Sequence, residues 1–296
     1  MKKALLQIHI AIFLAGFTAI LGQLILLNEG LLVLYRMLLT AMLLGGIMWM
    51  NGSFTKISTA HFIKIASIGG IVAFHWLMFY GSVKYSNASI AVVCISGAGF
   101  FSALIEPIIL KKPFSIIEIL LGLLSIIGIC IIFDFHPQYK VGIILGIFSA
   151  VGSAVFPIYN KQLLLQFEPN TITFYEMLGG AIGLLILLPF YLQFSPATYF
   201  LPSLADGKWL LVLSLLCTVF CFYLQLNALK KISAFTANLS YNLEPVYGII
   251  LAFIIFKENK MLNNYFYVGL LLILLSVLLQ MYRVWKSNIE AKKPSL

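Results

Sequence analysis

A few ionisable residues lie inside long apolar runs of the sequence, where they could do chemistry. Glu244 is followed directly by Pro245. The proline removes a backbone hydrogen bond, which leaves a carbonyl group free to line a cavity beside the carboxyl group. That carboxyl group could hold a cationic amine or carry a proton. A protonated glutamate bonded to a neighbouring helix is the alternative.

His75 lies in the middle of another apolar run, next to Trp76 and one helical turn before Phe79 and Tyr80. A histidine there could respond to pH or hydrogen-bond a solute, while a neutral histidine bonded to another helix is the alternative. The neighbouring rings, with Phe17 in the first run, could shape an apolar pocket. Core packing is the default explanation for any single ring.

Arg36 and Glu176 occupy related positions, because Tyr-Arg-Met at 35–37 and Tyr-Glu-Met at 175–177 lie 140 residues apart. The pair of opposite charges could mark two gates or be two unrelated residues near the ends of their runs. Arg36 could extend to lipid headgroups, pair with Glu29, or face an anionic group. With Pro245, these two residues are the candidates for gating or coupling.

Polar side chains also precede Glu244. Asn238 and Asn242 share one helical face by their four-residue spacing, and Tyr241 and Glu244 are offset from it. Amide bonds between helices are the usual explanation for such residues. The candidate solute-binding residues are therefore Glu244, His75, Trp76, Tyr80, Phe17, Asn238, Tyr241 and Asn242. No metal or other cofactor is expected, because no cysteine or histidine has a metal-ligand spacing.

The elements that position these residues are predicted to be membrane helices. The chain has 296 residues, of which 61% are hydrophobic and 10% charged. Soluble domains contain roughly 45–50% apolar and about 25% charged residues. So few charges cannot cover a water-facing surface, which excludes a soluble enzyme. Disordered chains are polar and charged, so the same composition excludes disorder.

Ten apolar runs are each about long enough to cross the bilayer as a helix. They cover residues 5–27, 31–50, 63–83, 88–110, 115–133, 141–160, 171–192, 209–229, 236–256 and 264–284. Segments on the N-terminal side of the membrane carry thirteen Lys and Arg residues, and the opposite segments carry five. This asymmetry predicts a multi-pass protein of the inner (plasma) membrane with both termini in the cytoplasm.

The two halves of the chain are weakly similar. The Lys-x-Ser at 84–86 recurs 147 residues later at 231–233, and Gly122 recurs as Gly269. We therefore predict two five-helix repeats, residues 1–137 and 138–286, followed by a cytoplasmic tail at 287–296. Because five is odd, the second repeat is inverted, as in many secondary transporters. Chance similarity between apolar segments is the alternative.

These motifs resemble those of EamA-type transporters in the drug/metabolite transporter superfamily. Residues 242–248, Asn-Leu-Glu-Pro-Val-Tyr-Gly, with Lys257-Glu258 after an apolar run, are similar to a signature of that family. Arg36 matches its arginine near the start of helix 2. The first repeat departs from the pattern, because the position where the family has a proline in helix 4 is occupied by Ala98 in this sequence. The resemblance covers nearly the whole chain and implies a central cavity between two halves.

The leading hypothesis is a secondary transporter, specifically an exporter, of small amphipathic organic metabolites such as amino acids or drug-like compounds. It would work by alternating access around a midplane cavity, with proton coupling through Glu244 or His75 as one option. A passive facilitator or channel and an intramembrane enzyme are the alternatives. The expected partners are a small solute and the lipid bilayer, and no loop is long enough to bind nucleic acid. The oligomeric state is left open.

Overall fold

The helices follow the apolar runs of the sequence. The computed structural model describes residues 2–135, 137–232, 240–241 and 243–290, and every regular element in these ranges is helical. Nine helices there are long and apolar enough to cross a membrane, and a tenth apolar helix is shorter. The helices are α1 (Lys2–Leu24), α2 (Glu29–Met50), α3 (Thr59–Tyr85), α4 (Ala88–Leu110), α5 (Ile116–Phe135), α6 (Lys140–Leu163), α7 (Pro169–Phe194), α8 (Leu204–Leu229), α9 (Glu244–Phe256) and α10 (Asn264–Glu290).

Polar residues extend two helices beyond the predicted spans. Helix α8 begins at Leu204 rather than at residue 209, because Ser203 and Asp206 form a capping box that satisfies free backbone N–H groups. Helix α10 continues to Glu290, beyond the predicted end at residue 284. Both extensions are polar, which is why apolar runs alone do not include them.

Helices α4 and α9 are built alike. Helix α4 has two pieces, Ala88–Ile95 and Ala98–Leu110, and the second piece has 13 residues, as α9 has. Each of these segments ends at a lysine in the left-handed conformation, Lys111 (φ 52°) and Lys257 (φ 55°). The structural offset is therefore 146 residues rather than 147. Ala98 is the counterpart of Glu244, and the proline position falls at Gly99 rather than at Ala98.

The packing of the helices is symmetric under exchange of the two halves. Helix α3 packs against α6 and α7, and α8 packs against α1 and α2 in the same way. Helix α4 contacts α6, and α9 contacts α1. The pairs α2–α7, α4–α9 and α5–α10 each join equivalent helices. Five crossings per half place the second repeat upside down relative to the first, as the sequence predicts.

Small residues allow the closest helix contacts. A Cβ atom added at Gly69 of α3 would overlap the carbonyl oxygen of Glu176 on α7, and one added at Gly180 would lie 2.5 Å from the Gly69 oxygen. In the α5–α10 pair, a Cβ atom at Gly128 would lie 2.6 Å from the Gly269 oxygen. Close backbone approach of this kind is a common basis of helix association in membranes.

The two ends of the bundle differ in their polar contacts. We call the end with the N-terminus and the 51–58 and 164–168 loops the terminal face, and the other end the distal face. At the distal face three carboxylates are buried: Glu29, Asp206 and Glu258. At the terminal face the ion pair between Lys230 and Glu168 is partly or fully exposed. The distal face is therefore the more firmly bonded end within the described residues.

Candidate functional site

A cavity lies between the two halves, near the middle of the bundle. Its empty volume is about 970 Å³, including the part that opens to solvent. Helices α1, α2, α3 and α4 line it from the first half, and α6, α8, α9 and the preceding Tyr241 line it from the second. The break in α4 and the first residues of α9 both lie at its wall, where irregular backbone is tolerated because it borders a cavity.

Aromatic rings form one wall of the cavity and connect three helices. His75, Trp76 and Phe79 come from α3, Phe156 from α6 and Phe222 from α8. The rings of Phe156 and Phe222 stack with centroids 6.4 Å apart, and Phe222 lies 6.1 Å from Trp76. Such a surface suits the apolar part of a solute.

Arg36 lies at this wall and is only 2% exposed. Its guanidinium carbon lies 3.6 Å from the centroid of the Trp76 ring. Its Nη1 donates to the Tyr80 hydroxyl at 2.7 Å, and its Nε donates to Thr218 Oγ1 at 2.9 Å. The alternatives of snorkelling and of pairing with Glu29 are therefore wrong, because the side chain is held inside the bundle by neutral partners.

A π-helical turn in α8 provides two of the contacts to Arg36. The turn covers Leu215–Phe220, and single π turns inside α-helices are frequent at functional sites. Thr218 donates to the Leu213 carbonyl, five residues earlier, at 3.0 Å. The Cys217 carbonyl accepts from Arg36 Nη2 at 3.2 Å. The turn thus presents an acceptor to the guanidinium group from the second half of the molecule.

Glu244, Pro245 and Tyr241 also line the cavity. Glu244 is the first residue of α9, and Pro245 occupies the first turn, where its missing N–H costs nothing. The structure thus brings these three predicted residues together with Arg36. The other two predicted residues of this stretch, Asn238 and Asn242, lie outside the described residues.

His75 lines the cavity but also holds α3 to α6. Its Nδ1 lies 2.9 Å from the Ser149 carbonyl oxygen, and the Ser149 hydroxyl donates to the His75 carbonyl at 3.0 Å. With Nδ1 protonated, both groups are satisfied. The alternative of a histidine bonded across helices is therefore the arrangement that the structure has.

Three predicted residues do not line the cavity. Tyr80 is fully buried and acts on the site through its bond to Arg36. Phe17 packs against Phe13, with ring centroids 5.2 Å apart, and its ring belongs to the packing around the core. Glu176 is fully buried on α7. Position along the sequence does not show which way a side chain faces, and none of these three side chains faces the cavity.

Glu176 is buried without a hydrogen-bond partner for either carboxyl oxygen among the described residues. The amide of Asn160 on α6 is its polar neighbour, and the Asn160 oxygen is likewise unpartnered there. Asn160 follows the cavity residue Phe156 by one helical turn. Glu176 therefore lies beyond the cavity wall, on the side of the terminal face.

We expect Glu176→Gln to leave folding intact and to raise the melting temperature of the detergent-solubilised protein. An amide has no charged form to bury and can donate to the Asn160 oxygen, so it removes one unsatisfied acceptor. The matched control is Glu168→Gln, because Glu168 is an exposed glutamate near the start of the same helix. A melting temperature for Glu176→Gln below that of the control would show that the carboxyl group has a partner it needs.

Several residues of the cavity were not singled out from the sequence. They are small or weakly polar, and nothing in their type marks them: Ala15, Thr18, Ser96, Ser102, Ser153, Cys217 and Cys221. Gln225 of α8 also lines the cavity. The break at Ser96–Gly97 is the local signal that could have found part of this set, because Gly97 and Gly99 weaken the helix there.

A buried polar network lies at the distal face. Glu258 Oε2 accepts from the backbone N–H of Ser89 at 2.9 Å, and its Oε1 accepts from that of Ala88 at 3.2 Å. Asp206 accepts from the Leu26 N–H at 2.7 Å, and Lys84 donates to the Ile25 carbonyl at 2.6 Å. These contacts join the first half to the second and bond the chain segments at the distal face to one another.

Other parts of the distal network hold α2 to α7. Glu29 Oε1 accepts from the Tyr191 hydroxyl at 2.5 Å and from the Ser195 hydroxyl at 2.6 Å. Asn28 donates to both the carbonyl and the hydroxyl of Ser195, each at 3.0 Å. This explains why Glu29 is not available to Arg36.

Known proteins resemble the chain over most of its length. It is 25% identical over 269 residues to YetK of Bacillus subtilis (strain 168), which is described as an uncharacterized transporter. This match covers 86% of this chain and 80% of that protein. An uncharacterized transporter of Archaeoglobus fulgidus is 26% identical over 239 residues, with 77% and 80% covered. The uncharacterized inner membrane transporter YhbE of Escherichia coli (strain K12) is 29% identical over 126 residues, with 42% and 38% covered.

The fold is also found in a solved crystal structure. It matches with a TM-score of 0.65 over 93% of this chain and 96% of that one, at 14% identity, which shows the fold alone. The model of the EamA-like transporter family matches residues 2–134 and again residues 140–282. The two matches together cover nearly the whole sequence. The protein is a polytopic helical membrane transporter, and it belongs to the EamA-like transporter family.

Proposed function

We propose that this protein is a secondary transporter that exports small amphipathic organic solutes, such as amino acids or drug-like compounds, by alternating access. The cavity between the two inverted halves is the observation that supports this proposal most directly. It has an aromatic wall, one buried cation and one carboxyl group, and it adjoins the break in α4 and the start of the equivalent helix α9. Rocking of the halves would open it to each side in turn.

In this proposal the structure represents the state closed at the distal face. The buried bonds of Glu258, Asp206 and Glu29 support that assignment, since they cross between chain segments that must separate for opening. The Lys and Arg asymmetry supports a cytoplasmic terminal face, which makes this the inward-facing state in the inner membrane. Release would then require opening of the distal network.

Counterflow in proteoliposomes tests transport against the passive alternatives. Vesicles are loaded with unlabelled phenylalanine or unlabelled ethidium and then given a trace of the same labelled compound outside. A transporter accumulates the label transiently above equilibrium, because it exchanges solute for solute. A channel shows no such overshoot, and vesicles without protein are the control. If a labelled compound enters the vesicles through the protein but only reaches equilibrium, without an overshoot, the transporter proposal is contradicted.

Accessibility of the cavity tests the alternating-access part of the proposal. A cysteine is introduced as Ser102→Cys in a chain whose four native cysteines are replaced by alanine, since Ser102 lines the cavity. A membrane-impermeant maleimide should modify it from the cytoplasmic side. A transported solute should increase modification from the opposite side. Modification from both sides at once in the absence of solute would indicate a continuous pore.

We further propose that Glu244 carries the coupling proton. It shares the cavity with Arg36, His75 and Tyr241, so its charge would influence a bound solute directly. His75 is a weaker candidate because Nδ1 is already bonded to Ser149. Transport by Glu244→Gln should lose its dependence on a pH gradient, while His75→Ala should keep it. An unchanged pH dependence in Glu244→Gln would exclude this route.

A further inference from the structure

Arg36 has a positive charge that no described side chain neutralises by direct contact. Six of the ten carboxyl groups of the chain have other partners: Glu29, Asp206 and Glu258 at the distal face, and Glu106, Glu118 and Glu168 in ion pairs with Lys112, Arg283 and Lys230. Glu176 and Glu244 make no ion pair with Arg36 within 4.0 Å in the described part of the chain. The side chains of Asp134 and Glu290 are not among those described.

A buried charge without a direct ion-pair contact is costly, so an arginine inside a membrane bundle needs a reason. Glu244 lies close enough to Arg36 to interact with it through space but does not contact it. Here the surroundings favour a ligand as that reason. The Trp76 ring fixes the plane of the guanidinium group from one side. The acceptors Tyr80, Thr218 and the Cys217 carbonyl fix its rotation. All three acceptors are neutral, so the group is oriented without losing its charge.

The guanidinium group also keeps hydrogen atoms for a ligand. Arginine has five N–H donors, and the three contacts to described acceptors use one on each nitrogen. One donor therefore remains on each terminal nitrogen, at a residue that lines the cavity. Two such donors match the two oxygens of a carboxylate better than the single point charge of a lysine would.

We propose that Arg36 binds the carboxylate of the transported solute, and that the solute is a small organic acid with an apolar or aromatic body. The body would lie along the rings of Trp76, Phe156 and Phe222. A solute that also has an amine would place it toward Glu244, which lines the same cavity. This inference rests on the proposed transport function and specifies which functional group of the solute is recognised.

The test compares four compounds that share one phenyl body. 3-Phenylpropionate has only the carboxylate, phenethylamine only the ammonium group, phenylalanine both, and 3-phenylpropanamide neither. Binding to the detergent-purified full chain is followed by fluorescence of Trp76, after the other three tryptophans, Trp49, Trp209 and Trp285, are replaced by phenylalanine. The unmodified cavity should bind 3-phenylpropionate at least about tenfold more tightly than the amide.

Variants of the two arginines locate the effect, because the chain has only Arg36 and Arg283. Arg36→Gln should weaken binding of 3-phenylpropionate at least about tenfold and leave binding of phenethylamine intact or stronger. Arg36→Lys should give an intermediate loss. Arg283→Gln is the matched control, since Arg283 contacts Glu118 and Ser115 away from the cavity, and its binding should not change.

Equal binding of 3-phenylpropionate and 3-phenylpropanamide by the protein with unmodified Arg36 would overturn the inference. This comparison does not depend on whether a variant of Arg36 folds. Equal binding of 3-phenylpropionate by folded Arg36→Gln would overturn it as well. If phenethylamine shows counterflow while 3-phenylpropionate does not bind, carboxylate recognition fails and transport stands. If none of the four compounds binds, the inference fails, and counterflow of ethidium tests transport separately.

Discussion

Gly69→Leu is expected to prevent α3 from packing against α7. Even a Cβ atom at this position would overlap the Glu176 carbonyl oxygen, and Gly180 lies directly opposite. Backbone atoms cannot rotate away as a side chain can, so the helices would have to separate. Overpacking of a core costs about 1–3 kcal/mol and sometimes more. We expect the upper end of this range or complete loss of folded protein.

The measurement is the yield and melting temperature of monodisperse protein in detergent. The control is Gly70→Leu, because Gly70 is adjacent in sequence and a Cβ atom there meets nothing within 4 Å. Both variants add the same side chain to the same helix, so helix propensity cancels between them. Gly69→Ala should show a smaller loss. Equal stability of Gly69→Leu and Gly70→Leu would mean that α3 and α7 are not in close contact.

Glu258→Ala is expected to open the distal face. Glu258 is 1% exposed, and its two oxygens accept the N–H groups of Ala88 and Ser89 at the start of α4. Without the carboxylate the Ser89 N–H is left buried and unsatisfied, at about 1–3 kcal/mol, while the Ala88 N–H keeps only its longer bond to Gln23 Oε1 at 3.3 Å. Opening would let water reach them, so the variant should favour the state open at the distal face as well as being less stable.

Two measurements follow these effects separately. The melting temperature reports the loss of stability, and modification of the Ser102→Cys reporter from the distal side reports opening. Glu258→Gln should be intermediate, since its amide keeps one acceptor oxygen. Glu106→Ala is the control, because Glu106 has only a partly exposed ion pair with Lys112. If Glu258→Ala matches this control in both measurements, Glu258 does not hold the distal face closed.

The number of helices and their arrangement in two inverted halves could be predicted from the sequence. A span of about 20 apolar residues is required to cross the bilayer, so ten runs give ten helices. The predicted start of α8 and the predicted repeat offset were wrong, because local capping groups and backbone conformation decide where a helix begins or ends. Helix α8 begins earlier because Ser203 and Asp206 cap it, and in α4 and α9 the offset is 146 residues rather than 147, since the left-handed lysines Lys111 and Lys257 end these two helices.

The candidate site was predicted in part. Glu244, Pro245, Tyr241, His75, Trp76 and Arg36 all reach the cavity. Their types were informative because ionisable and large aromatic residues inside apolar runs are few. Tyr80, Glu176 and Phe17 do not line the cavity and pack against other helices instead. A chain in which nearly every helical face is apolar gives little periodicity from which to infer the rotation of each helix.

The sequence by itself determined that the chain spans a membrane as helices, since composition and run length leave no other element able to satisfy its backbone. Only the tertiary structure decided what each polar residue faces. Arg36 could reach lipid, pair with Glu29 or face the cavity, and the choice depends on Trp76, Tyr80 and Thr218, up to 182 residues away. Partners that are distant in sequence decide whether a charged side chain is buried. The local sequence determines the depth of a residue in the membrane, but it does not determine which side chains surround it.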